Sequence, residues 1–90
     1  MEVTYEVLND RRFDGHGWTL DISSMAVCFT TEAQLSPGDL VKLTASWPVL
    51  LHDTVPLQLI IGGTVVRAGR TEAVASIQHY EYRTRRAKRV

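Results

Sequence analysis

The sequence predicts an all-β domain of six short antiparallel strands, closed as a small barrel or stacked as a sandwich, on three observations. Apolar residues recur at period two through most of the chain. Turn-forming clusters separate these runs at regular spacing, and no segment has a convincing 3.6-residue apolar period. Ninety residues, 44% of them hydrophobic and 22% charged, suit one folded domain with a single core and exclude disorder as the starting expectation.

The first strand is "VTYEVL", in which Val3, Tyr5 and Val7 alternate with Thr4 and Glu6. It ends at Asn9-Asp10, where the polar loop "NDRRFDGHG" begins. The second strand, "WTLDIS", sets Trp18, Leu20 and Ile22 against Thr19, Asp21 and Ser23. A tight turn then leads to "AVCFTT", with Val27 and Phe29 on one face and Cys28 and Thr30 on the other, so the two form a hairpin. After the turn "SPGD", "LVKLTASW" points Val41, Leu43, Ala45 and Trp47 inward and Lys42, Thr44 and Ser46 outward. "PVLLHDTVP" reads as a longer loop held by Pro48 and Pro56. "LQLIIGGTVVRA" is a long strand in which Gly62-Gly63 marks a bulge or sharp bend. The last strand is "EAVASI", with "HYEYR" as a candidate extension. The interior is expected to hold Leu20, Ile22, Phe29, Leu43 and Val65.

Charge is divided unevenly. Residues 1–82 contain all ten acids and five cations, a balance of −5, whereas "RTRRAKRV" at 83–90 has five cations and no acid, a balance of +5. This divides the chain into a barrel domain, 1–82, and a basic tail, 83–90, that reads as a solvated terminus. An acidic body opposes a polyanion, so duplex nucleic acid is not expected as a partner. Tyr80 and Tyr82 beside basic residues in "HYEYRTR" are the one hint of a single-stranded nucleic-acid binder. The longest apolar runs, such as Trp47 to Leu51, fall far short of a membrane span, and no signal peptide is evident. With Cys28 as the single cysteine, no internal disulfide is possible, and the cytoplasm is the expected location.

No enzyme chemistry is predicted. His16, His52 and His79 lack metal-pair spacing, and neither a metal nor a cofactor is expected. Ser23 and Ser24 are not in a Gly-x-Ser-x-Gly elbow, Cys28 lies among apolar neighbours, and "GHG" and "GG" lead into strands and not into phosphate-binding helices.

One stretch does stand out. "DISSMA", Asp21 to Ala26, resembles the Asp/Asn-x-Ser-x-x-Gly motif of PilZ domains, between a strand ending in Leu-Asp-Ile-Ser and a strand of Val-x-Phe type. "LSPGDLVKL", "GGTVVRAG" and "AVASI" follow in the family's order, so the resemblance covers roughly Gly17 to Ile77. It implies a six-stranded antiparallel β-barrel acting as a bacterial signalling module that binds cyclic diguanylate (cyclic di-GMP). Asp21, Ser23, Ser24 and Ala26 would then form the ligand face, with Arg11 and Arg12 as the cations nearest in sequence. The residue types suit guanine and phosphate: a carboxylate accepts from the guanine edge and a hydroxyl donates to an anionic oxygen. The alternative is that Asp21 and Ser23 cap the hairpin by bonding its backbone amides.

Two departures weaken the expected binding. The family's Arg-x-x-x-Arg signature belongs at or before the first strand, where residues 1–10 contain no arginine. Arg11 and Arg12 are adjacent and follow that strand. Arg85 and Arg89 have the spacing, at the other end of the chain. Ala26 replaces the motif glycine, at a cost of about 1 kcal/mol if the turn needs a positive φ. The runner-up function is therefore a PilZ-type adaptor that contacts a protein partner and binds no nucleotide.

Overall fold

The computed structural model describes residues 1–9, 13–52 and 55–84. Its strands are β1 (Glu2–Val7), β2 (Phe13–Ile22), β3 (Ala26–Thr30), β4 (Leu40–Leu51), β5 (Val55–Ala68) and β6 (Glu72–Thr84). They close into an antiparallel barrel in the order β1-β2-β3-β6-β5-β4, with β1 against β4 from Val3↔Ala45 to Val7↔Val41 completing the ring. Closure leaves no free edge around the ring itself, which disposes of the pairing hazard of an open sheet.

Period two becomes an inside and an outside. Val3, Tyr5 and Val7 of β1 are buried while Glu2, Thr4 and Glu6 face water. Val27 and Phe29 of β3, Val41, Leu43 and Ala45 of β4, and Ala73 and Ala75 of β6 complete the pattern. Small residues on β6 leave room for Phe29, whose ring lies 5.8 Å from that of Tyr5. Leu35, in the β3–β4 connection, closes one end of the barrel at 1% exposure. The turn beside it is fixed by Ser36 N–H donating to Asp39 Oδ2 (2.9 Å) and by Gly38 N–H donating to the Val65 carbonyl (2.7 Å).

The second strand corrects the expected interior. Phe29, Leu43 and Val65 are inside, but Leu20 is 57% exposed, Trp18 59% and Ile22 37%. The lumen side of β2 belongs to Gly15 and Gly17, which pair with Tyr5 and Val3. A side chain at Gly17 would run into the Thr30 carbonyl, so glycine lets β2 approach β3 closely there. A β-bulge then follows: Thr19 faces Phe29 and Asp21 faces Cys28, which leaves Leu20 as the extra residue. Past the bulge Ile22 pairs with Val27 and returns to the lumen side at the barrel mouth.

Strand extents also differ from the expectation. β2 takes in Phe13 to Gly17 from the supposed polar loop, and β4 continues through Pro48 to Leu51. Proline is tolerated there because β1 pairs β4 only as far as Ala45. β6 does extend through "HYEYR" and reaches Thr84. The irregularity expected at Gly62-Gly63 is present: Gly62 pairs with His79 and Gly63 with Ile77, leaving Gln78 of β6 as the extra residue. The remaining tail, 85–90, lies outside the described residues.

Candidate functional site

The hairpin between β2 and β3 is shaped by one side chain. Ser23 Oγ accepts hydrogen bonds from the Met25 and Ala26 amides, both at 3.2 Å, and donates to the Ala26 carbonyl at 3.4 Å. Ser23 N–H also donates to that carbonyl, at 2.9 Å. Serine is favoured at such a place because its short hydroxyl reaches amides two and three residues ahead. Ser24 and Met25 are left exposed at the tip. Among the described residues positive φ occurs only at His52 and Gly38, so Ala26 sits in ordinary extended backbone. The anticipated strain of replacing a glycine at Ala26 is therefore not incurred.

The motif residues divide between two surfaces. Asp21 pairs with Cys28 and Ala26 with Ser76, which puts both on the outer wall of the barrel. Cys28 Sγ donates to Glu72 Oε2 there at 3.9 Å. Burial, reinforced by Glu72 and Asp21, pushes the Cys28 thiol up from its ordinary value, while Arg67 pulls the other way. Beside Cys28 the two carboxylates outweigh the one guanidinium, which disfavours a dianion at that point of the wall. A thiol kept protonated is a poor nucleophile. Cys28 should accordingly react with iodoacetamide more slowly than a free thiol at pH 8, and Glu72→Gln should speed it several-fold, as followed by mass spectrometry.

Ser23 and Ser24 face the other surface, the mouth of the barrel. β1 accompanies β4 only to Ala45 and β3 accompanies β6 only to Ser76, so β4, β5 and β6 project beyond their neighbours as a three-stranded sheet. The lumen-side face of this projection holds Trp47 on β4, Leu59 and Ile61 on β5, and Tyr80 and Tyr82 on β6, the tyrosines paired with Ile61 and Leu59 respectively. The Trp47 and Tyr82 rings meet edge to face at 5.2 Å, as do Tyr80 and Tyr82 at 6.3 Å. With Ile22 and Ile77 they enclose a hollow of about 210 Å³ against the hairpin.

The size of this hollow limits its occupant. Sites for drug-sized ligands run from roughly 300 to 1,000 Å³, so it houses about one planar ring system, and the rest of a dinucleotide would lie outside it. Tyr80 and Tyr82 are 59% and 50% exposed, leaving ring surface on which a base can stack. Charge is sparse: Arg83 Nη2 is held by Glu81 Oε1 at 2.9 Å on the opposite face of β6. Arg11 and Arg12, like Arg85, Arg86, Lys88 and Arg89, lie outside the described residues.

The sequence points to the hairpin, to the tyrosines and to an inward-facing Trp47, which is indeed on the lumen side and packs against the core, but it does not show that these residues share one hollow. The signal that joins them is length, since β5 and β6 run to 14 and 13 residues against 5 for β3 and must outreach it. Among the described residues no three His, Cys, Asp or Glu side chains gather as a metal site, and no helix is long and apolar enough to cross a membrane. A scan against protein-family models and searches of the curated proteins and the solved structures each find no match to this chain.

Proposed function

We propose that the chain is a non-catalytic, PilZ-like signalling barrel that receives one guanine base of cyclic diguanylate in its mouth, and holds it weakly. The observation that supports this reading is the shared hollow, which is lined by Ser23 of the motif and its neighbour Ser24 together with Trp47, Tyr80 and Tyr82. A purine gains about 1 to 3 kcal/mol from each aromatic stack. The exposed Ser24 hydroxyl is a polar group at the rim, because Ser23 is engaged in the turn. Weakness follows from charge. Each guanidinium–phosphate bond is worth ~1.5 to 3 kcal/mol, so lacking two lowers affinity by roughly a hundredfold to ten-thousandfold relative to a PilZ domain with both motifs.

A specific observation favours the adaptor as the second reading. Trp18, Leu20 and Met25 are 59%, 57% and 77% exposed along β2 and its hairpin tip. Asp21, the motif acid, shares the outer wall with Glu72. Calorimetric titration with cyclic diguanylate separates the readings. Weak binding that Tyr80→Ala and Ser24→Ala each reduce, with the fold intact, supports nucleotide reception. Absence of heat leaves the adaptor, and tight binding overturns the charge argument.

A further inference from the structure

We propose that β6 is a self-association edge, along which a second copy of this chain adds its own β6 antiparallel about a twofold axis through Tyr82. The inference goes beyond the nucleotide reading and does not depend on it. β3 covers β6 only to Ser76, and beyond it the Ile77 amide donates to the Met25 carbonyl (2.8 Å), the last backbone hydrogen bond on that side among the described residues. From His79 to Thr84 β6 remains paired with β5, but among the described residues nothing pairs with its other edge. This leaves a row of backbone donors and acceptors able to template a strand. Edges that avoid pairing carry proline, charged side chains or a bulge, and the charges here, Glu81 and Arg83, are of opposite sign and so can pair across the edge. "HYEYRT", residues 79–84, has no proline, and the bulge at Gln78 precedes it.

Charge selects both partner and register. Antiparallel pairing must keep the two faces matched, so the twofold axis passes through a residue and not between two. Through Glu81 it would set carboxylate against carboxylate and His79 against Arg83; through Arg83, guanidinium against guanidinium. Through Tyr82 it sets Glu81 opposite Arg83 of the second copy, twice, and joins the existing Glu81–Arg83 pair of each chain into one alternating network. On the other face Tyr82 meets its own counterpart and Tyr80 meets Thr84, covering rings that are half exposed in the single chain. The two mouths then form one continuous aromatic surface across the dimer.

Sedimentation velocity over a concentration series, without nucleotide, tests this. The unmodified chain should show a monomer–dimer equilibrium. Glu81→Arg and Arg83→Glu should each weaken it by about tenfold, since each sets like charges opposite one another twice. Both side chains are exposed, so circular dichroism should be unchanged. An equimolar mixture of the two single variants should associate again, because one chain then offers two cations to the other's two acids; no effect within one chain produces that result. A monomer at every concentration, or a dimer indifferent to both changes, overturns the proposal. Neither result bears on whether the mouth takes a base.

Discussion

Replacing Phe29 with alanine is expected to lower the unfolding free energy by about 3 to 5 kcal/mol, measured as a shift in the urea midpoint at unchanged slope. Phe29 is fully buried and tilts against Tyr5 at the centre of the lumen. Neighbours on closed strands cannot collapse into the space it leaves, so the cavity cost adds to the lost transfer energy. Domains of this kind are stable by only about 5 to 15 kcal/mol, and the change removes a large share of that. The matched control is Leu20→Ala. At 57% exposure it should cost no more than about 0.5 kcal/mol. If Leu20→Ala were as damaging as Phe29→Ala, the outward register of β2 would be wrong.

Gly17→Ala should be nearly as severe although it adds a single methyl. The new carbon would meet the Thr30 carbonyl, a backbone atom that cannot rotate aside. Relief requires β2 to lift from β3 along the seam that carries the hairpin. A cost of about 3 kcal/mol, at the upper end of overpacking, lowers the melting temperature by roughly 15 °C in a domain of this size. Gly69→Ala is the comparison, since an added carbon there makes only ordinary van der Waals contact, with Glu72. It should melt within a few degrees of the parent chain.

These two sites show what the sequence could and could not say. Alternation at Val3, Tyr5 and Val7 or at Val41, Leu43 and Ala45 reveals both a strand and its inner face, because the opposite residues are charged or hydroxylated. In β2 the alternation is equally clean, but period two only groups Trp18 with Leu20; it does not say which face looks inward. The inner positions are glycines, invisible to a search for apolar residues, and they are needed because Tyr5 and the β3 backbone already fill the space. The bulge at Leu20 then moves Ile22 to the lumen side, a change of phase that sequence pattern alone does not reveal. The hairpin was legible as a motif. Its division into an outer wall with Asp21 and a mouth with Ser23 and Ser24 depends on the strand pairing. Trp47 reads correctly as an inward residue of β4, but that it lines an open mouth and not the closed lumen shows only once β4, β5 and β6 are seen to outrun their neighbours.

The central claim, that a guanine base is received in the mouth, has a direct reporter in the two tryptophans. Trp47 lies in the mouth against Tyr82, and Trp18 stands on the outer face of β2. In a nitrogen-15 correlation spectrum each gives a separate indole N–H signal, assigned by Trp18→Phe. Titration with cyclic diguanylate should move the Trp47 indole and the amides of Ser23, Ser24 and Tyr80 to Tyr82 together, with one dissociation constant, while the Trp18 indole stays in place. A Trp47 signal that does not move, or a response confined to Trp18 and Leu20, would contradict the account.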